Sequence, residues 1–316
     1  MHIGKVDTLE MNNQVVIQVE NLTKVYGRLK AADGISFEVK RGEIFCMVGP
    51  NGAGKTTTIE CIEGLRKPTS GSIRVLGLDP QNQSHLLKEK IGVQLQNAVL
   101  QPRMKVWEAI DLIGSFYPKT IDFVPLLKEM GLEEKKKAYL SSLSGGQKQR
   151  LFIILALIHD PEIVFLDELT TGLDPQARRA MWQMVESIRE KGKTIFLITH
   201  FMEEAERLAD RVAIVDQGRI IALDTPTRLI SQFGGEMKII FTVRDSPPSF
   251  SLEGIEGVSR TERVGEKAVV YGRGDSLVGD VVNSLLRGGI KFFDFQTQAS
   301  NLDDVFLALT GKEMRD

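Results

Sequence analysis

The chain has 316 residues, 42% of them hydrophobic and 26% charged, with a formal net charge of −2. That length exceeds an ordinary domain of roughly 100–200 residues and predicts one large domain with an appendage. The near-neutral balance gives no electrostatic ground for nucleic acid or an anionic membrane surface as main partner. Two cysteines, Cys46 and Cys61, are too few for a disulfide framework or a four-ligand zinc site and are expected as buried packing residues.

The start at Met1 lacks the apolar core of a signal peptide. The longest apolar run, Leu151–Ile158, is far short of the roughly 20 residues that span a bilayer, so a cytoplasmic protein is expected. Residues 1–14 are mostly polar and form an N-terminal extension. Val15–Val19, Ile35–Val39, Ile44–Val48 and Ser72–Val75 have the apolar and β-branched content of strands. Asn51–Thr56 is a glycine-rich loop, and Thr57–Gly64 is expected to continue it as a helix. From His85 to about Ile158 the pattern is mainly helical. Glu162–Leu166, Thr194–Thr199 and Val212–Val215 are near-continuous apolar runs, as in strands buried on both faces. The alternation predicts an α/β core over 15–231 with a helical subdomain at about 85–158. Composition shifts at Ser231–Gly235, after which strands at Lys238–Val243, Ala268–Tyr271 and Phe292–Gln296 and helices at Leu277–Leu286 and Leu302–Leu309 predict a small α+β domain over 236–316.

Gly49-Pro50-Asn51-Gly52-Ala53-Gly54-Lys55-Thr56 fits G-x-x-x-x-G-K-[ST], placed after a strand and before a helix. Glycines let consecutive backbone N–H groups curl around a phosphate, and the helix adds its positive end. Gly49, Asn51, Gly52, Ala53, Gly54, Lys55, Thr56 and Thr57 are the expected nucleotide-phosphate contacts. Lys55 reaches the β- and γ-phosphates, and the Thr56 hydroxyl is a ligand for Mg²⁺. A second acidic element belongs at the end of another buried strand, and Ile163-Val164-Phe165-Leu166-Asp167-Glu168 supplies it. Asp167 is placed to hold the metal, and Glu168 to orient and deprotonate an attacking water.

In Leu143-Ser144-Gly145-Gly146-Gln147-Lys148-Gln149-Arg150, Ser144 is an N-cap and Gln147 completes a capping box, with small residues leaving the helix mouth open to an anion. This stretch resembles the signature motif of the ATP-binding cassette (ABC) ATPases, and it stands between the P-loop and the carboxylate strand as in that family. The resemblance covers roughly residues 15–230. It implies a P-loop NTPase core of ABC type that hydrolyses Mg-ATP as a homodimer. In that dimer Ser144, Gly145, Gly146 and Gln147 face the ATP of the opposite subunit, head to tail. It further implies that Tyr26 stacks on adenine, that Gln96 approaches Mg²⁺ and the water (Gln94 lies close enough to compete for the register), that Asp174 couples the two sites, and that His200 contacts the γ-phosphate. One departure is Leu169, where the family usually has Pro.

The C-terminal stretch Asn301–Gly311 resembles the ending of drug-resistance and ABC-2-type exporter ATPases. That resemblance implies an export motor at the inner face of the cell membrane. A separate permease would dock on Val99–Tyr117, and the tail domain would regulate or aid dimer pairing. Non-transport ABC ATPases are the alternative. The single P-loop speaks against the tandem translation type, and the absence of heptads and of cysteine clusters speaks against the DNA-repair type. A nucleotide-binding module without turnover is the third reading, and Glu168 speaks against it.

Overall fold

Near-continuous apolar strands need cover on both faces, and the chain supplies it with helices and with a second sheet. The computed structural model describes residues 14–94, 100–243, 252, 254–274 and 276–311. They form two compact units, one ending at Pro226 and one starting at Thr227. The first runs β1 (Val15–Tyr26), β2 (Leu29–Lys40), β3 (Ile44–Val48), α1 (Lys55–Ile62), β4 (Ser70–Val75), α2 (Ser84–Lys88) and β5 (Ile91–Gln94). It continues α3 (Val106–Gly114), α4 (Phe123–Glu129), α5 (Gly145–Leu157), β6 (Ile163–Asp167), α6 (Pro175–Glu190), β7 (Thr194–Thr199), α7 (Met202–Leu208), β8 (Arg211–Asp216) and β9 (Arg219–Asp224).

The main sheet has the order β5-β6-β7-β3-β8-β9, parallel except for the β8–β9 hairpin. β3 and β7 are buried at every residue, as a strand covered on both faces must be. An antiparallel sheet, β2-β1-β4, packs against it. The seam is aromatic: Phe37 of β2 stacks on Phe45 of β3 at 5.0 Å, Phe45 meets Phe196 of β7 at 5.4 Å, and Phe196 meets Phe165 of β6 at 5.6 Å. Such pairs add about 1 kcal/mol each beyond their buried area. β6, β7 and β3 are therefore neighbours, and their carboxyl ends, where open α/β sheets bind ligands, carry the candidate residues.

Several boundaries differ from the sequence reading. β1 runs on to Tyr26, so that tyrosine ends a strand instead of standing in a loop. α1 begins at Lys55, two residues before the expected Thr57. The run from His85 is not all helix, because Ile91–Gln94 is a strand at the edge of the sheet. Its four residues are too few to show a period, and Gly92 marks the reason for it: a Cβ there would sit 2.0 Å from the Ala156 carbonyl oxygen of α5. α5 ends at Leu157, and Asp160, before Pro161, has φ 56. Cys46 and Cys61 are buried free thiols, as expected. Among the described residues no helix is long and apolar enough to cross a membrane.

α8 (Pro226–Phe233) begins where the units divide, a few residues before the shift in composition. The second unit then runs β10 (Met237–Val243), β11 (Val258–Val264), β12 (Lys267–Gly272), α9 (Leu277–Arg287), β13 (Phe292–Gln298) and α10 (Leu302–Thr310). Its sheet is antiparallel in the order β11-β12-β10-β13. Leu277, Val281 and Leu285 of α9 pack on Ile239, Phe241 and Val270 to form its core. β11 escapes a sequence reading because it is an edge strand whose residues are all exposed or half-buried.

Candidate functional site

The loop between β3 and α1 has a shape that only its own residues allow. Gly54 has φ 102, and a Cβ on it would lie 2.0 Å from the Ala31 carbonyl oxygen, so neither the dihedral nor the space admits another residue. The Ala53 N–H closes a turn onto the Pro50 carbonyl at 3.1 Å. No side chain caps the start of α1, which leaves its first N–H groups for a ligand. Asn51, Gly52 and Thr56 are exposed, Gly54 and Thr57 are half-buried, and Ala53 is buried beneath them. Lys55 is buried and folds back, with Nζ donating to the carbonyls of Gly49 at 2.7 Å and Pro50 at 3.0 Å. Burial lowers its proton affinity, and the negative charges of Glu168 and Asp167 oppose that shift.

Those two carboxyl groups stand at the end of β6. Burial pushes the Asp167 carboxyl up to about 6; the Glu168 charge adds to the shift and Lys55 opposes it. Asp167 Oδ1 is buried without a hydrogen-bond partner. An unpartnered buried carboxylate oxygen is costly, and a hard cation with oxygen ligands removes that cost. Asp167, with the exposed Thr56 hydroxyl, fits a Mg²⁺ ion. Glu168 has φ 49, a left-handed conformation costing about 1–2 kcal/mol in a residue with a Cβ. Its N–H is tied to the Ile198 carbonyl of β7 at 2.9 Å, and Leu169 after it is fully buried. Glu168 Oε1 lies 3.4 Å from His200 Nδ1, with both side chains largely buried. The pair is in contact but not aligned as a hydrogen bond. Thr171 Oγ1 donates to Glu168 Oε2 at 3.4 Å.

Lys55, Asp167, Glu168 and His200 are thus brought together by three neighbouring strand ends. Gln96 lies outside the described residues. Gln94, at the end of β5, is buried and accepts the Asp167 backbone N–H on Oε1 at 3.2 Å. Ser144 caps α5 as read: its hydroxyl accepts the Gln147 N–H at 3.3 Å and its own N–H donates to Gln147 Oε1 at 2.9 Å. Ser144 and Gly145 are exposed and Gly146 and Gln147 half-buried, and these hydrogen bonds stay within the helix start. Asp174 caps α6, its Oδ1 accepting from the N–H groups of Gln176 and Ala177 at 3.0 and 2.9 Å. Tyr26 is 39% exposed, with Lys24 Nζ 5.2 Å and the Arg66 guanidinium 5.4 Å from its ring.

The family model for ABC transporters matches residues 32–171, which span the P-loop, the capped helix and the carboxylate pair. A Nod factor export ATP-binding protein I from Ralstonia nicotianae is 37% identical over 95% of this chain and 95% of its own length. The chain belongs to the ABC transporter ATP-binding family. A linearmycin resistance ATP-binding protein of Bacillus subtilis, LnrL, is 36% identical over 95% of this chain and all of its own. Among solved structures, an ATP-binding subunit of an ABC transporter matches with TM-score 0.63 and 30% identity, covering 69% of this chain and 93% of the other. The cassette MJ0796, solved as a dimer in a post-hydrolysis state with ADP and Pi, matches with TM-score 0.59 and 27% identity over 66% of this chain and 98% of its own. As an ABC ATPase the chain is the nucleotide-binding, hydrolysing subunit of a transporter.

Proposed function

We propose that this ABC subunit hydrolyses Mg-ATP at the site just described and so drives export through a separate membrane permease. The observation that carries the hydrolysis is the convergence of Lys55, Asp167, Glu168 and His200 on adjacent strand ends. Backbone N–H groups over Gly52–Thr57 and the Lys55 ammonium hold the phosphates. Asp167 and Thr56 hold Mg²⁺, which supplies charge neutralisation when bound. Glu168 orients the water and takes its proton as the new P–O bond forms and the bond to ADP breaks. His200, beside Glu168, supports the γ-phosphate, Tyr26 lies under adenine, and Gln96, by the family resemblance, approaches the metal.

The mouth of α5, exposed at Ser144 and Gly145, has the form of an anion-binding helix start, and the solved relative MJ0796 is a dimer. We take this mouth to close over the ATP of a second copy, head to tail, with Asp174 between the sites. Light scattering of the Glu168→Gln chain tests it. The particle is expected at 35.2 kDa without nucleotide and at twice that mass with Mg-ATP. A particle unchanged by Mg-ATP sinks the sandwich.

Export rests on the relatives' names, one for Nod factor export and one for linearmycin resistance. The permease surface is taken as the predicted stretch 99–117. Val99 lies outside the described residues; Leu100, Ile113 and Tyr117 of the stretch line a cavity of about 310 Å³ whose walls are mostly apolar and include Val93 and Phe152. Phe116 stands 73% exposed beside them. In membranes carrying the assembled transporter, Phe116→Cys is expected to crosslink to a cytoplasmic loop of the permease at the inner face of the cell membrane. Crosslinks mapping only to other faces of the subunit would move the docking site.

A further inference from the structure

One carboxyl group in this unit is buried more completely than those of Asp167 and Glu168 and has no place in the chemistry above. Glu204 of α7 is fully excluded from solvent, together with Thr170 and Thr199. The Trp182 indole N–H, from α6, donates to Glu204 Oε1 at 3.1 Å. Burial raises the proton affinity of this carboxyl above the ordinary carboxylate value, and the Thr199 and Thr170 hydroxyls, Trp182 and the Arg178 guanidinium each pull it back. The Thr199 oxygen accepts the Phe201 N–H at 3.0 Å, so its own O–H remains to donate to Glu204. Glu204 Oε2 and the Thr170 hydroxyl are both buried without an aligned hydrogen bond.

These neighbours stand on the segments that carry Glu168, His200 and Asp174. Thr170 is two residues after Glu168, Thr199 immediately precedes His200, and Trp182 lies on the helix capped by Asp174. Arg178 of the same helix sits 4.7 Å over the Phe201 ring, which packs 4.0 Å from His200. An apolar side chain would fill such a site at lower cost than a carboxyl group, so packing does not account for a glutamate here.

We propose that Glu204 is a positioning residue for ATP hydrolysis, tying the segments behind Glu168, His200 and Asp174 into one unit so that the Glu168–His200 contact is held. The inference rests on the roles given above to Glu168 and His200. Steady-state hydrolysis by the full chain tests it, with ATP affinity measured separately by a fluorescent nucleotide. Glu204→Ala is expected to lower kcat by about 100-fold, the cost of a displacement near 1 Å at a reacting centre. KM for ATP stays within about twofold, because the phosphate cradle is untouched. Glu204→Gln keeps the shape and the acceptor for Trp182, so kcat recovers to within about fivefold of wild type, roughly the net worth of one hydrogen bond. A merely structural role would move the melting temperature and leave this kcat pattern absent.

Folded Glu204→Ala enzyme with wild-type kcat overturns the proposal, and so does Glu204→Gln as impaired as Glu204→Ala. Should Glu204→Ala fail to fold, Thr170→Val and Trp182→Phe each remove one donor and leave the carboxyl in place. Lowered kcat in both supports the tie, and wild-type kcat in both overturns it. Glu168→Gln run alongside separates the two readings: retained turnover there removes the role of Glu168, whereas the role of Glu204 is read from its own kcat and KM.

Discussion

Glu168→Gln is expected to lower kcat for ATP hydrolysis by roughly 10²–10⁴-fold, the usual share of a positioned general base. The affinity for ATP should change little, since the phosphates are held by the loop over Gly49–Thr57. Gln keeps the size of the side chain and its contact with Thr171, so the loss isolates the proton-accepting oxygen. The backbone supports the assignment. Glu168 is held at φ 49 with its N–H bonded to the neighbouring strand, and strain of about 1–3 kcal/mol at a residue of this kind is typical of functional positions. Leu169 in place of the usual Pro is absorbed by full burial, so the turn is fixed by packing instead of by a ring. Single-turnover phosphate release beside nucleotide Kd values decides the matter. Wild-type release by the variant would transfer the base role elsewhere, and a parallel loss of binding would make Glu168 a binding group.

Much of this site was legible because its chemistry is local. The P-loop needs only a spacing of glycines, lysine and threonine, Asp167 and Glu168 stand together at the end of one apolar run, and the Ser144–Gln147 capping box spans four residues. What escaped depends on contacts between distant residues. Gln94 and Gln96 could not be told apart by spacing; the fold buries Gln94 against the Asp167 N–H, a contact between residues 73 apart. Trp182 and Glu204 lie 22 residues apart, and each taken alone is an unremarked residue on an amphipathic helix. The edge strands β5 and β11 failed for opposite reasons: the first is too short to show a period, and the second has too little apolar surface to show one. Family likeness carried Tyr26, Asp174 and His200, whose residue types alone suggest a structural loop tyrosine, a plain turn and a structural histidine.

Glu63 was equally silent in the sequence, where it falls in the last turn of the helix expected over Thr57–Gly64 and carries no motif. The fold instead buries it to 4% exposure at the C-terminal end of α1, on the wall of the proposed permease groove. Burial, with the charges of Asp167 and Glu60 adding, pushes its carboxyl up to about 8. A negative charge at a helix C-terminus is itself unfavourable. The folded chain therefore binds a proton there that the unfolded chain releases near pH 4.5. Stability from this group is complete below the unfolded value and is lost as pH rises towards 8. At pH 7 the gap of about 2.5 pH units above the unfolded value corresponds to a cost of about 3 kcal/mol, growing to about 5 kcal/mol above pH 8. Glu63→Gln removes the titration at similar volume. The variant is expected to unfold at higher urea concentration than wild type at pH 8 by an amount equivalent to about 3 kcal/mol after its own amide is accommodated, and to match wild type at pH 5. The difference between the two pH values is the diagnostic quantity. An equal shift at both would mean that Gln packs better and that charge has no part in it, while a loss of stability at pH 8 would show that the carboxylate is held by a partner strong enough to offset its burial.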